Sequence, residues 1–299
     1  MIRYKSTFLL LCIILFITLT APVVAQQGGQ EGNPPLWVVR NADTTVYLFG
    51  TIHLMTPNVS WYNGLVRQAF ESADILYLEM NQLEISQEEQ QQVVQETAFL
   101  PEDEELSEIL PDSVWNTLRS FLTPVGVPEE ALQRWKPWFA GITATAITAQ
   151  QAGFLPQYGV DIRLARTASA SEMEIRSLES LEYQFQLFNS LTREQSIYML
   201  QDTLDMRDEI QGFFEDLRDA WLERDLQTLK ELLLDAEDEA PGFYEEVFVQ
   251  RNIRWADEIE TILETEEAVV FLAVGSGHLL GDDSVVALLE ERGYEVTLE

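Results

Sequence analysis

Two short segments constrain this chain more than anything else in it. Gly50-Thr51-Ile52-His53 follows the apolar run Val46-Tyr47-Leu48-Phe49, and Gly275-Ser276-Gly277-His278 follows the apolar run 268–274. Each reads as a buried strand that stops at a glycine and delivers a histidine just past its end. They hold the only two histidines of the chain, more than two hundred residues apart. A lone histidine near a strand end is usually structural. Two at matched places read as two halves of one site.

Both segments open the same succession of elements. After the first come helical spacing over residues 61–72 and the apolar strand Ile75-Leu76-Tyr77-Leu78, which ends on Glu79. After the second come a helix over 284–292, closed by Gly293, and a last strand over 294–298. The expected fold class is α/β: duplicated strand–GxxH–helix–strand halves forming a mainly parallel central sheet, with a large helical insertion between them. Residues 36–39 and 45–49 read as a hairpin around the turn Asn41-Ala42-Asp43-Thr44. The insertion, about 84–265, is rich in Glu and Gln with spaced apolar residues and is punctuated by Pro101, Pro111, Pro124, Pro128, Pro137 and Pro156. Within it, 138–152 reads as a buried helix, 162–170 as another, and 174–178 as a short strand. Residues 180–234 read as long amphipathic helix broken near Asn189-Ser190 and Arg224-Asp225, 235–241 as a solvated acidic turn, and 243–264 as helix again.

The N-terminus is a separate matter. Arg3 and Lys5 precede an apolar run over 8–24 that ends in Val23-Val24-Ala25, which predicts a signal peptide over 1–25. Residues 26–35, rich in Gln, Gly and Pro, then read as a linker, and 36–299 as a single domain. Uncut, the same run is an anchor of about 17 residues, near the lower limit for spanning a bilayer. Either way the chain is exported, extracellular or periplasmic, and touches a membrane only through this segment. Cys12, the one cysteine, leaves with the signal, which excludes disulfides and thiolate chemistry in the mature protein. With 51 acidic against 18 basic residues the formal charge is −33, a surface that repels phosphate backbones and excludes nucleic acid as a partner.

In open α/β sheets ligands gather outside the carboxyl ends of the strands. His53, Glu79 and His278 are each expected at such an end. Two imidazoles and a carboxylate match the ligand set of a catalytic metal site with an open position for water. The same three could instead work without a metal, one histidine as general base and Glu79 orienting it or acting as a second base. Spacing does not separate these readings, and no helical HExxH pattern is present. Arg251 and Arg254, one helical turn apart, read as an electrophile or carboxylate clamp, or else as surface salt bridges. Asp161 either faces the site or caps the helix after it, the cap being favoured; Glu179 is a weaker candidate of the same kind. Trp135, Trp138 and Trp221 read as core or groove lining rather than cofactor contacts. Ser276 lacks the GxSxG surroundings of a nucleophile.

The ordered set Tyr47-Leu48-Phe49-Gly50-Thr51-Ile52-His53, Leu76-Tyr77-Leu78-Glu79-Met80, Tyr158-Gly159-Val160-Asp161, Ser177-Leu178-Glu179, Arg251-Asn252-Ile253-Arg254-Trp255 and residues 271–281 resembles the TraB/PrgY/GumN proteins of the Tiki-like superfamily over residues 36–299. In that superfamily Tiki proteins are regarded as metal-dependent proteases with paired GxxH motifs and a glutamate. Erythromycin esterase-like members hydrolyse a lactone with comparable histidines and glutamate, and PrgY-type members block peptide pheromone signalling. The resemblance implies that His53, Glu79 and His278 carry the site, and it strengthens Arg251. The expectation is thus an exported, metal-dependent hydrolase acting on a peptide or small ester. His53, His278 and Glu79 would hold zinc, manganese or cobalt, with Glu79 as third ligand or general base and Arg251 facing the oxyanion. The alternatives are a non-catalytic peptide-sequestering protein and a metal-independent esterase with His53 as base.

Overall fold

The computed structural model describes residues 30–234 and 241–299. The expected signal segment, Cys12 and nearly all of the acidic turn at 235–241 lie outside the described residues. The strands are β1 (Gln30–Glu31), β2 (Leu36–Arg40), β3 (Thr45–Thr51), β4 (Val59–Ser60), β5 (Ile75–Leu78), β6 (Glu174–Ser177), β7 (Val269–Gly275) and β8 (Val296–Leu298). Six of them form one sheet in the order β6-β5-β7-β3-β2-β8, and β1 pairs with β4 in parallel. β6, β5, β7 and β3 are parallel to one another, while β2 is antiparallel to both β3 and β8. The mainly parallel α/β sheet expected from the sequence is present.

Its centre explains the continuous apolar runs. All four residues of β5 and residues 270–274 of β7 are buried, as strands covered on both faces must be. Phe271 packs on Phe49 and Phe70, with ring centroids 5.5 and 5.2 Å away, and Trp221 closes on Phe49 at 5.9 Å. The indole N–H of Trp221 donates to the Gly50 carbonyl (2.8 Å), so this core tryptophan also ties down the first GxxH segment.

The two strand–GxxH–helix–strand stretches do not occupy equivalent places in the sheet. From β3 the first returns at β5, with β7 between them; from β7 the second returns at β8, with β3 and β2 between. Local likeness in sequence therefore does not extend to a duplicated strand order.

The described residues divide into two compact units. One holds Ile85–Ala152 and Ser180–Gly212; the other holds the residues up to Glu84 together with Gly153–Glu179 and Phe213–Glu299, and so the whole sheet. The first is helical. Helix Pro137–Gln151 starts on a proline, where the missing N–H costs nothing, and packs along helix Arg193–Met206. The helices pack closely at Gly141, where a Cβ would sit 3.4 Å from the Leu200 Cα, at ordinary contact distance. Leu106, Leu118, Leu122 and Leu132 complete that core. Buried Trp138 stacks on Phe188, and the partly buried Trp135 meets Phe139 edge-on at the margin of that core. The helix breaks expected at Asn189-Ser190 and Arg224-Asp225 occur there, and another lies at 207–209, between Met206 and Ile210.

Candidate active site

Four neighbouring parallel strands end on chemistry. In sheet order, β6 runs into Glu179, β5 into Glu79, β7 into the short 3-10 turn Ser276–Leu279 that carries His278, and β3 into His53. The register keeps the ends level: Thr51 pairs with Gly275 and Leu78 with Ser177, and the Glu179 amide goes on to donate to the Glu79 carbonyl (2.8 Å). The hydroxyl of Ser276 donates to the Thr51 carbonyl (2.9 Å), so it joins the two GxxH segments rather than facing a substrate.

A helix crosses these ends. Helix Gln250–Thr265 follows a wider π-type turn, Glu245–Val249. Together they bury Val247, Phe248, Arg251, Asn252 and Trp255. Arg251 is the hub. Its Nε donates to Glu179 (2.9 Å), Nη2 to Glu79 Oε2 (2.6 Å) and Glu179 Oε2 (2.8 Å), and Nη1 to the Val247 carbonyl (3.2 Å) and His278 Nε2 (3.0 Å). A guanidinium has five N–H groups, and all five are committed. Its cation also lies over the Trp255 ring, 4.6 Å from the centroid. The side chains of Arg251, Glu79 and Glu179 are 4%, 9% and 3% exposed, so the surface-pair alternative for Arg251 fails. Burial works against the charge on Arg251, but Glu79 and Glu179 outweigh it and raise its pKa.

The two histidines sit in opposite environments. His278 lies between the Trp255 and Phe248 rings, at 4.4 and 4.8 Å. Its Nδ1 faces Asn252 Oδ1 (2.7 Å), while the Asn252 amide donates to the Asp283 carbonyl, so Nδ1 carries the hydrogen and Nε2 accepts from Arg251. Burial, then the positive charge of Arg251 and of His53, push His278 well below the ordinary histidine pKa, and it is neutral. His53 instead pairs with Asp161, Nδ1 to Oδ2 at 2.8 Å. Burial opposes its charge, but Asp161, with a smaller contribution from Glu79, holds its pKa up to about 9. Burial likewise works against the Asp161 carboxylate, and the His53 charge overrides it, lowering its pKa.

The groups converge around Gly275. A Cβ at this position would lie 3.2 Å from Glu79 Oε1, 3.6 Å from His278 Cδ2 and 3.6 Å from His53 Nε2, and the Gly275 amide donates to Glu79 Oε1 (2.6 Å). As chemistry, two imidazoles and a carboxylate suit a divalent ion. As arranged, they do not fit one, because the guanidinium of Arg251 already holds His278 Nε2 and Glu79 Oε2. Among the described residues no three His, Cys, Asp or Glu side chains are grouped closely enough to hold a metal.

His53, Glu79, His278 and Arg251, singled out in the sequence, thus lie in one cluster, the last three buried and His53 partly so, and Arg254 stays at its rim, half-exposed and 3.4 Å from Glu179. Asp161 departs from its favoured reading. Gly159 holds the N-cap of helix Val160–Ala170 without a side-chain cap, and Asp161, one residue inside, turns to His53. Sequence reasoning undervalued Glu179 and passed over Asn252. Glu179 carries the signal that picked out Glu79, an acid just past a strand end, but β6 is short and half-exposed and so reads weakly. Arg251 also departs from its expected role: with every donor engaged it has none left for an oxyanion.

The TraB/PrgY/gumN family profile matches residues 35–298. Similar proteins include metalloprotease TIKI1 of Danio rerio, 23% identical over 97% of this chain and 69% of that protein, and metalloprotease TIKI2 of Xenopus tropicalis, 23% identical over 94% and 63%. An uncharacterized protein of Treponema pallidum is 21% identical over 96% of this chain and 91% of its own length. The chain spans about two thirds of the length of the TIKI relatives it matches. No solved structure matches it.

Proposed function

The chain belongs to the TraB/PrgY/gumN family, and from that premise we propose that it is an exported hydrolase that cleaves a peptide or small ester carbonyl at the cluster of His53, Glu79 and His278. The observation that carries this reading is the ion-paired His53, with Asp161 on Nδ1 and Nε2 turned towards Gly275 beside Glu79. The names of the TIKI relatives support hydrolysis, and peptide bonds first among its targets.

Each role follows from the partners of the group. His53, held as imidazolium by Asp161, carries a proton at Nε2 for the oxygen or nitrogen that leaves when the carbonyl carbon is attacked by water. Glu79 is the neighbouring carboxylate able to take a proton from that water. Arg251 works through others: it orients Glu79 and fixes the neutral His278. The relatives' names imply a divalent metal, and zinc, manganese or cobalt suits the donor types. The present arrangement does not offer three donors to one ion, so the roles above are those of the chain's own groups.

The test is turnover by the mature, tag-free protein on a panel of fluorogenic peptides and p-nitrophenyl esters, with chelator and with added Zn²⁺, Mn²⁺ or Co²⁺. The expected result is hydrolysis that falls at least a hundredfold in His53→Ala and Glu79→Gln, in keeping with loss of a positioned acid or base. Peptide binding without turnover, unchanged in both variants, would replace the hydrolase by a sequestering protein.

A further inference from the structure

We propose that the Arg251 guanidinium stands in the place of a divalent ion and shuts one out, so that the two GxxH histidines take up a metal only once that side chain is removed. An ion bridging the motifs has to reach His278 through Nε2, because Nδ1 is held on Asn252 at 2.7 Å. That Nε2 already accepts from Arg251 Nη1 at 3.0 Å. Glu79 is engaged at both oxygens, Oε1 by the Gly275 amide and Oε2 by Arg251 Nη2, each at 2.6 Å. One guanidinium therefore covers two of the three donors, and it is a cation of the sign that a metal would bring.

The guanidinium is also locked in place. Glu179 grips it with both oxygens, the Val247 carbonyl takes a further N–H, and the Trp255 ring lies beneath it. Displacing it would take the bidentate guanidinium away from a Glu179 whose side chain is 3% exposed. Deleting it takes the guanidinium off His278 Nε2, Glu79 Oε2 and Glu179, and with His53 beyond Gly275 these make a mixed carboxylate and imidazole set of the kind that closes in on Co²⁺ or Zn²⁺. The signs agree: the same substitution that removes a repelling cation frees the donors.

The inference concerns ion binding and stands or falls apart from turnover. Its test is Co²⁺ titration of mature, tag-free protein, read by calorimetry and by the visible d–d absorption of the bound ion. Wild type is expected to give only weak uptake that His278→Ala does not change, as a strongly acidic surface would. Arg251→Met is expected to bind one equivalent at least a hundredfold more tightly, with that binding lost in Arg251→Met/His278→Ala. If circular dichroism shows Arg251→Met unfolded, Arg251→Gln, which keeps a polar group opposite Glu179, is titrated in its place. One equivalent of Co²⁺ in wild type that disappears in His278→Ala overturns the proposal, whatever the variants do. So does a folded Arg251 variant that binds no more tightly than wild type.

Discussion

At the scale of single residues, the chain uses its two histidines in opposite ways. His53 gains a carboxylate partner and holds its proton up to about 9, whereas His278 gains a cation and two aromatic neighbours and loses it. Because there are no other histidines, a proton NMR titration of tag-free protein should show one imidazole titrating near pH 9 and one that stays neutral down to well below its usual midpoint. The effects on stability have opposite signs. The folded pKa of His53 is raised, so its stabilisation is full below the unfolded value near 6.5 and fades as pH rises through about 9. The folded pKa of His278 is lowered, so below about 6.5 the unfolded chain takes up a proton that the folded chain refuses, and stability falls with acid. Asp161→Asn should bring the His53 midpoint down; a His53 that still titrates near 9 in this variant would show that Asp161 is not the cause. Glu179 and Arg251 form the other residue-scale pair. Removing either alone takes from a buried charge one of its partners, at a cost of up to about 3–5 kcal/mol, and the double variant should cost less than the sum. Urea unfolding of Glu179→Ala, Arg251→Met and the double variant measures that coupling, and additive losses would mean the two do not act as a pair.

At the scale of elements, the site is set by where strands stop and where one helix begins. The strand ends were legible in the sequence because a continuous apolar run closed by glycine or by an acid leaves little choice of structure. What the local pattern could not state was which buried strand lies beside which. β3 and β5 follow one another along the chain, yet β7 lies between them, since a run buried on both faces carries no mark of its neighbour. The π-type turn Glu245–Val249 was equally hidden: its residues have ordinary helical spacing, and Phe248 within it and Arg251 and Asn252 just beyond it meet His278. The start of helix Val160–Ala170 shows why the cap reading of Asp161 failed. The Val160 amide donates to the Ile52 carbonyl (3.0 Å), so the helix is anchored by backbone to the segment it serves, and its first acid is left to reach His53. Gly159 permits this approach, since a Cβ there would meet the His53 carbonyl oxygen at 2.2 Å. Gly159→Ala must therefore push helix and GxxH segment apart, with a loss of about 1–3 kcal/mol. The Asp161–His53 pair should loosen with it, so the same NMR titration is expected to show His53 moving towards 6.5. A variant of wild-type stability with His53 unchanged would mean that the docking is not tight.

At the scale of the whole molecule, strong acidity meets a site that depends on buried ion pairs, and salt separates the two. The chain carries 51 acidic and 18 basic residues, and many of the acids lie on exposed helix faces, as in the sequence 87–92. Their mutual repulsion acts through solvent and fades as the screening length shrinks from about 10 Å at 0.1 M salt to about 3 Å at 1 M. Pairs such as Arg251 with Glu79 and Glu179, with side chains under a tenth exposed, are screened far less. Raising NaCl from 0.1 to 1 M should therefore raise the melting temperature, while the His53 midpoint moves much less than that of an exposed group. Chloride is the right anion for this test, because sulfate also strengthens apolar burial and would mix two effects. A melting temperature that falls with NaCl would mean that exposed pairs such as Arg67 with Glu71 outweigh the net repulsion. If the His53 midpoint instead dropped with salt as freely as that of a surface group, the pair with Asp161 would have to be open to ions. The site would then lie closer to solvent than the burial of its other members implies.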